Sequence, residues 1–230
     1  MVKITLKDGS TKKINKGTTV LEAAEGISAG LARNALAGEV NGKTVDLRYV
    51  LEEDCSLNIL TFEDQAGKQA YWHTTSHIMA QAVKRLFPEV KLAIGPSIES
   101  GFYYDFDVEK PFSPDQLEKI EEEMYKIIKE DLPLERFTLS REEALKLVEE
   151  KGEIYKAELI RELPEDAVIS FYRQGEFTDL CAGPHLMSTG KVKAVKLVNL
   201  AGAYWRGNEK NKMLQRVYGV SFPKKNMLDE

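Results

Sequence analysis

A chain of 230 residues with 43% hydrophobic and 30% charged side chains has an ordinary soluble composition, enough for one large domain or two modest ones. Its net charge of −5 gives no global field that draws in nucleic acid. Two cysteines without CxxC spacing argue against a disulfide framework and fit a reducing cytoplasm. No run approaches the roughly 20 apolar residues that cross a membrane, and Met1 to Asp8 has no apolar signal-peptide core. The charge is uneven, with 10 Lys/Arg against 18 Asp/Glu over 109–166 and 9 against 3 over 191–230. The basic end fits an anionic partner or, more simply, a solvated face.

The first sixty residues read as short strands and turns. Val2 to Leu6 alternates, Asp8-Gly9 predicts a two-residue hairpin turn, and Thr11 to Ile14 returns. Thr19 and Glu22 are spaced as a capping box for a short helix that Gly26 would stop. Asn41-Gly42 predicts a second hairpin, and Cys55 to Thr61 a closing strand. Hairpin, helix, hairpin and closing strand outline a β-grasp, ubiquitin-like module. The order of elements resembles the TGS domain, found in threonyl-tRNA synthetases and some regulatory GTPases. No titratable cluster falls within it, so no chemistry is assigned there.

Glu63 to Lys68 is polar and predicts a domain boundary. A helix is expected from about Gln69 to Phe87-Pro88, with Trp72, Met79, Ala82, Val83 and Leu86 as its buried stripe. His73, His77, Gln81 and Lys84 would share another face, placing the histidines at a rim. Gly101 to Asp107 predicts a strand, with residues 102, 104 and 106 on one face; Gly95 and Gly101 would let backbone approach a ligand, or simply form turns. Ser113, Pro114 and Gln116 open one amphipathic helix, and Ser140 and Glu143 another that Gly152 ends. Strands are expected at Ala167 to Tyr172, Val195 to Leu200 and Leu214 to Val220. The Ala201 to Gly207 stretch, with Tyr204, Trp205 and Arg206, fits either base stacking or a hairpin tip packed on its own sheet.

The three histidines of the chain fall in two short stretches. His73 and His77 are one helical turn apart, and Cys181 precedes His185 by the same interval. Two pairs that use every histidine and one of two cysteines point to a site. It is either a metal site (His73, His77, Cys181, His185) or an acid–base site.

His73-Thr74-Thr75-Ser76-His77 and Asp179-Leu180-Cys181-Ala182-Gly183-Pro184-His185, behind a TGS-like module, resemble the N-terminal region of bacterial threonyl-tRNA synthetases. Gly101 to Asp105 and Tyr204 to Gly207 fit the same resemblance, which covers the whole chain. It implies an α+β architecture: a β-grasp TGS-like domain at 1–62, then an editing (deacylase) domain at 63–225 with helices packed on an antiparallel sheet. Residues 226–230 read as the start of a linker helix. The implied activity is hydrolysis of serine mischarged on tRNA(Thr). The parent would be an aminoacyl-tRNA ligase and homodimer whose ATP, Mg and catalytic zinc belong to a domain after Glu230. The implied catalytic group is His73, His77, Lys156, Cys181 and His185, with Gly95, Tyr104 and Asp179 at the substrate. In it Lys156, Cys181 and His185 position water, His73 meets the terminal ribose, and Asp179 faces the substrate ammonium. No cofactor is expected for this editing reaction, and zinc on the His/Cys group is the alternative. Other readings are a noncatalytic module that holds the acceptor stem, and a zinc-dependent ester hydrolase.

Overall fold

The computed structural model describes all residues Met1–Glu230, and the chain divides into two compact units. The first comprises Met1–Tyr71 and Gly183–Met187, the second Trp72–Ala182 and Ser188–Glu230. No helix is long and apolar enough to cross a membrane.

In the first unit, β1 (Val2–Thr5), β2 (Thr11–Ile14), β4 (Ala37–Val40), β5 (Lys43–Val45) and β7 (Cys55–Leu60) form a sheet ordered β2-β1-β7-β4-β5. Strand β1 pairs with β7 in parallel and the other neighbours are antiparallel, which is the ubiquitin-like β-grasp order. Two-residue strands β3 (Thr18–Thr19) and β6 (Val50–Leu51) pair beside it. Helix α1 (Val20–Ile27) packs Val20, Ala23 and Ala24 into a core with Ile4, Val45, Leu51 and Leu57.

Local signals held well here. The Thr19–Glu22 capping box forms on both sides, satisfying helix-end donors that have no intrahelical partner. Asn41 and Gly42 both take positive φ, 49° and 82°, as a two-residue turn between right-twisted strands requires. The first turn is different. Leu6 N–H meets the Ser10 carbonyl at 2.8 Å, so Lys7, Asp8 and Gly9 form a three-residue loop with Gly9 at φ 86°. Gly26 does not stop α1, which runs to Ile27. Ser28 then ends it and caps α2 (Ala29–Asn34).

The second unit is built on helix α3 (Gln65–Leu86), whose residues from Trp72 onward belong to it. One sheet is ordered β14-β15-β10-β8, from β14 (Ala194–Tyr204), β15 (Met213–Phe222), β10 (Gly101–Asp107) and β8 (Lys91–Leu92), with β9 (Ser97–Ile98) also on β10. The other is β11-β12-β13, from β11 (Leu134–Leu139), β12 (Ile169–Gln174) and β13 (Phe177–Leu180). Both are antiparallel throughout. Helices α4 (Pro114–Glu130), α5 (Arg141–Glu150) and α6 (Ile154–Glu162) complete an α+β unit.

Helix α3 bonds to both sheets. Trp72 Nε1 donates to the Ser221 carbonyl of β15, 2.9 Å, and Gln81 Nε2 to the Gln174 carbonyl of β12, 3.2 Å. From Thr74 to Val83 every residue is buried. The helix therefore has no solvent face at His77, while His73, one turn earlier, is half-buried. It also starts four residues before the predicted Gln69. Helices α4 and α5 start at Ser113 and Ser140 as their caps predict.

Thr19→Ala removes the capping box from an otherwise unchanged first unit. The expected loss is about 1 kcal/mol, read as a lower denaturation midpoint with unchanged slope.

Candidate functional site

Four elements of the second unit bring the predicted residues together. Helix α3 carries His73 and His77, β10 carries Tyr104, α6 carries Lys156, and β13 with the residue after it carries Asp179 and Cys181. Phe102, Tyr104 and Phe106 share the buried face of β10, as the alternation predicts. Lys156 sits on the inward stripe of α6 with Tyr155, Ala157 and Ile160.

Lys156 is 5% exposed and Asp179 3%. Their side chains pair at 3.0 Å between Nζ and Oδ1. The Tyr104 hydroxyl donates to Asp179 Oδ2 at 2.7 Å, and the Lys156 ammonium lies 5.3 Å from the Tyr104 ring centre. Burial and the adjacent Asp179 carboxylate push the Tyr104 hydroxyl well above its ordinary pKa, so it stays a donor. His77 Nε2 lies 3.6 Å from Asp179 Oδ2.

The two imidazoles meet edge to face, with ring centres 5.1 Å apart. His73 Nε2 is 3.4 Å from Cys181 Sγ. Burial pushes the His73 pKa down to about 4; the Asp179 carboxylate opposes this and the Lys156 ammonium adds to it. His77 is held well below its ordinary value by burial, by His73 and by Lys156. Both rings are therefore neutral near pH 7.

These groups border a cavity of about 390 Å³. Its wall includes His73, His77, Gly95, Lys156, Asp179 and Cys181. Gly95 is where it is because nothing larger fits: a Cβ there would stand 2.0 Å from Tyr104 Cδ2. A second cavity, also about 390 Å³, shares Lys156, Asp179 and Leu180 with the first and is otherwise lined by residues such as Leu147, Phe171 and Phe177. The Lys156–Asp179 pair thus stands between two cavities.

His185 lies on the Gly183–Met187 segment of the first unit, where it is buried and its N–H donates to Asp46 Oδ1, 2.8 Å. The sequence reading passed over Ser76. Its hydroxyl is 2.7 Å from both the His73 and the Gly95 carbonyls. The helix amide of His77 already serves the first carbonyl, so the Ser76 proton is best used at Gly95. That bond ties one cavity wall to the histidine helix. A serine within the His73–His77 turn was the available signal, but its partner lies nineteen residues on.

In the aromatic loop Trp205 is packed, on α6, and Tyr204 is exposed. Trp205 is buried against Tyr155, with ring centres 4.9 Å apart, and its Nε1 donates to Glu158 Oε2 at 3.2 Å. Arg206 pairs with Glu158 and Glu162. Part of the basic end is met from within: Arg216 forks onto Asp105 at 2.8 and 3.0 Å, and Lys212 reaches Asp107 at 2.5 Å.

The TGS domain family matches residues 2–61. The family described as the threonyl and alanyl tRNA synthetase second additional domain matches residues 169–218. The chain is 72% identical over 229 residues to a threonine–tRNA ligase of Acetivibrio thermocellus. It is 68% identical over 230 residues to that of Desulforamulus reducens, and 60% identical to that of Clostridioides difficile. All of this chain is covered in each case, but only 36% of each relative. The chain thus carries a TGS and a tRNA_SAD domain and, over its whole length, matches the N-terminal 36% of bacterial threonyl-tRNA synthetases at up to 72% identity.

Proposed function

We propose that this chain carries out editing, hydrolysing the ester of serine mischarged on tRNA(Thr). The observation that carries the reading is a buried Lys156–Asp179 pair beside Cys181 and the neutral His73 and His77 on one cavity wall. Serine is threonine without one methyl, a difference worth only about 1–3 kcal/mol in a binding site. A second, hydrolytic sieve is the physical answer, and a cavity with Gly95 in its wall, backed by the Tyr104 ring, would set the size limit.

An aminoacyl ester is already activated. The site must orient water, stabilise the tetrahedral oxyanion and provide for the leaving ribose hydroxyl. In this reading Lys156 offers a fixed positive charge, held by Asp179 at 3.0 Å so that it need not reorganise. Lys156, Cys181 and His185 position the water. His73 meets the terminal ribose, and its depressed pKa favours orientation over strong base catalysis. Asp179 already holds Lys156 and Tyr104, and its remaining lone-pair capacity is available to the substrate ammonium. Gly95 lines the wall with Tyr104 pressed behind it, and His77 packs beside His73.

A second reading has its own observation. The ligand atoms of His73, His77 and Cys181 lie within 4.8 Å of one another, and neutral imidazole is the ligating form. Zinc bound tetrahedrally at about 2.0–2.3 Å sets ligand atoms roughly 3.4–3.8 Å apart. The 3.4 Å His73–Cys181 pair already fits, while the wider separations must contract by about 1 Å. With His185 as fourth donor the tetrahedron would be closed, whereas His73, His77 and Cys181 alone would leave the fourth position to a water that the metal would polarise.

Deacylation of Ser-tRNA(Thr) tests the first reading. The chain should exceed the uncatalysed rate, with Lys156→Gln and His73→Ala each lowering kcat roughly 100-fold or more. Wild type at the uncatalysed rate sinks it. Metal analysis of protein purified without chelator separates the two readings: stoichiometric zinc lost in both His73→Ala and Cys181→Ala selects the second.

Acid gives a further check. The folded pKa of His73 lies below its ordinary 6.5, so the neutral form persists until pH falls through about 4. Activity should hold from neutral pH down to about 5 and fall below that. An inflection near 6.5 that His73→Gln abolishes would contradict the buried, neutral assignment.

A further inference from the structure

The β-grasp unit carries no site of its own, yet it holds a segment far from it in sequence. Gly183–Met187 is the one stretch beyond Tyr71 that belongs to this unit. Two side chains grip it around His185. Asp46 Oδ1 accepts the His185 N–H at 2.8 Å, and Arg48 Nη2 donates to the Met187 carbonyl at 3.2 Å. The Met187 side chain packs against the unit's core.

The gripping residues are themselves fixed. Asp46 directly follows β5. Leu47, between the two, is buried in the core, and its carbonyl accepts the Leu21 N–H of α1 at 3.0 Å. Tyr49 N–H closes the turn onto the Asp46 carbonyl at 3.0 Å. A carboxylate that accepts a backbone N–H makes a charge-assisted bond, stronger than a neutral one. The backbone of His185 is thus set by a rigid turn, and the backbone sets which rotamers its imidazole can use.

We infer that the N-terminal module acts as a positioning element for deacylation: Asp46, with Arg48 beside it, fixes the backbone that carries His185. The inference rests on the proposed reading in which His185 takes part in that reaction. It gives the module a physical task without assigning it chemistry. Asp46 is a positioning residue, since it acts through the His185 amide.

The test compares Asp46→Ala with Asp46→Asn in Ser-tRNA(Thr) deacylation by the whole chain, with kcat and KM separated. Asn keeps an oxygen acceptor for the His185 N–H, and Ala does not. Asp46→Ala should lower kcat roughly 10- to 100-fold, the cost of a misplaced catalytic group, with KM unchanged. Asp46→Asn should stay near wild type. Thr19→Ala, which weakens the same module elsewhere, should keep the wild-type kcat. Equal kcat for Asp46→Ala and wild type overturns the inference, as does an equal loss in Asp46→Asn or Thr19→Ala. If Asp46→Ala does not fold, Arg48→Met is the second variant: a lower kcat in folded protein supports the brace, and an unchanged one overturns it. A wild-type chain without deacylation overturns the reading beneath it instead.

Discussion

A lysine ammonium taken out of water dominates the second unit. Desolvation of a buried charge costs several kcal/mol, and only a close partner of opposite sign with further hydrogen bonds offsets it. Asp179 answers Lys156 at 3.0 Å, and the Tyr104 hydroxyl takes the other carboxylate oxygen at 2.7 Å. One interaction therefore joins α6, β13 and β10, three elements that no continuous stretch of chain brings together. The depressed pKa of each histidine also depends in part on this pair, since Lys156 lowers both and Asp179 opposes the fall at His73. Loss of either charged partner strands the other in a buried site, which is the costly way to break an ion pair.

The histidine helix follows from that constraint. A helix with one wet face would let water reach His77 and restore its ordinary basicity. Instead α3 is buried on all sides from Thr74 to Val83. Its polar groups are met by sheet and loop atoms: Thr75 by Ser221 at 2.8 Å, Ser76 by the Gly95 carbonyl, and Gln81 by Gln174. These bonds make a polar helix tolerable in a dry setting. They also fix the cavity wall, because Gly95 is tied to Ser76 on one side and pressed on Tyr104 on the other.

What could be read from the sequence was local. Thr19 with Glu22, Ser113 with Gln116, and Asn41-Gly42 each set their own few backbone angles, and each appears as expected. The Asp8-Gly9 loop length was missed because Gly9 suits a bulged three-residue turn as well as a tight one. Strand β11 escaped because only Leu134 of its six residues is buried, so it shows little alternation. A lysine among Tyr155, Ala157 and Ile160 has the local look of a surface residue, and its burial gains meaning only from Asp179, twenty-three residues later. Burial of His77 had no local sign, because α3 is kept dry there by sheets formed far along the chain. The association of Gly183–Met187 with the first unit spans 139 residues from Asp46 to His185, beyond any periodicity argument.

The chemistry turns on what neutral imidazoles can do. A base with a pKa of about 4 gains little from taking a proton from water. The same ring is fully available, without competing protonation, as a hydrogen-bond partner or a metal ligand. Hydrolysis by such a site must draw its rate from placement and from charge that is already present. In the first reading Lys156 provides that charge, and its partner at 3.0 Å keeps it pointed. An activated ester needs less than an amide would, so orientation of water by neutral donors and acceptors can be sufficient. A metal would supply the missing activation by lowering the pKa of its water. The two readings therefore differ in where the driving charge sits, on Lys156 or on an ion among His73, His77 and Cys181. Under the first, neutralising Lys156 removes the charge that drives the reaction. Under the second, it removes only a neighbour of the ligands.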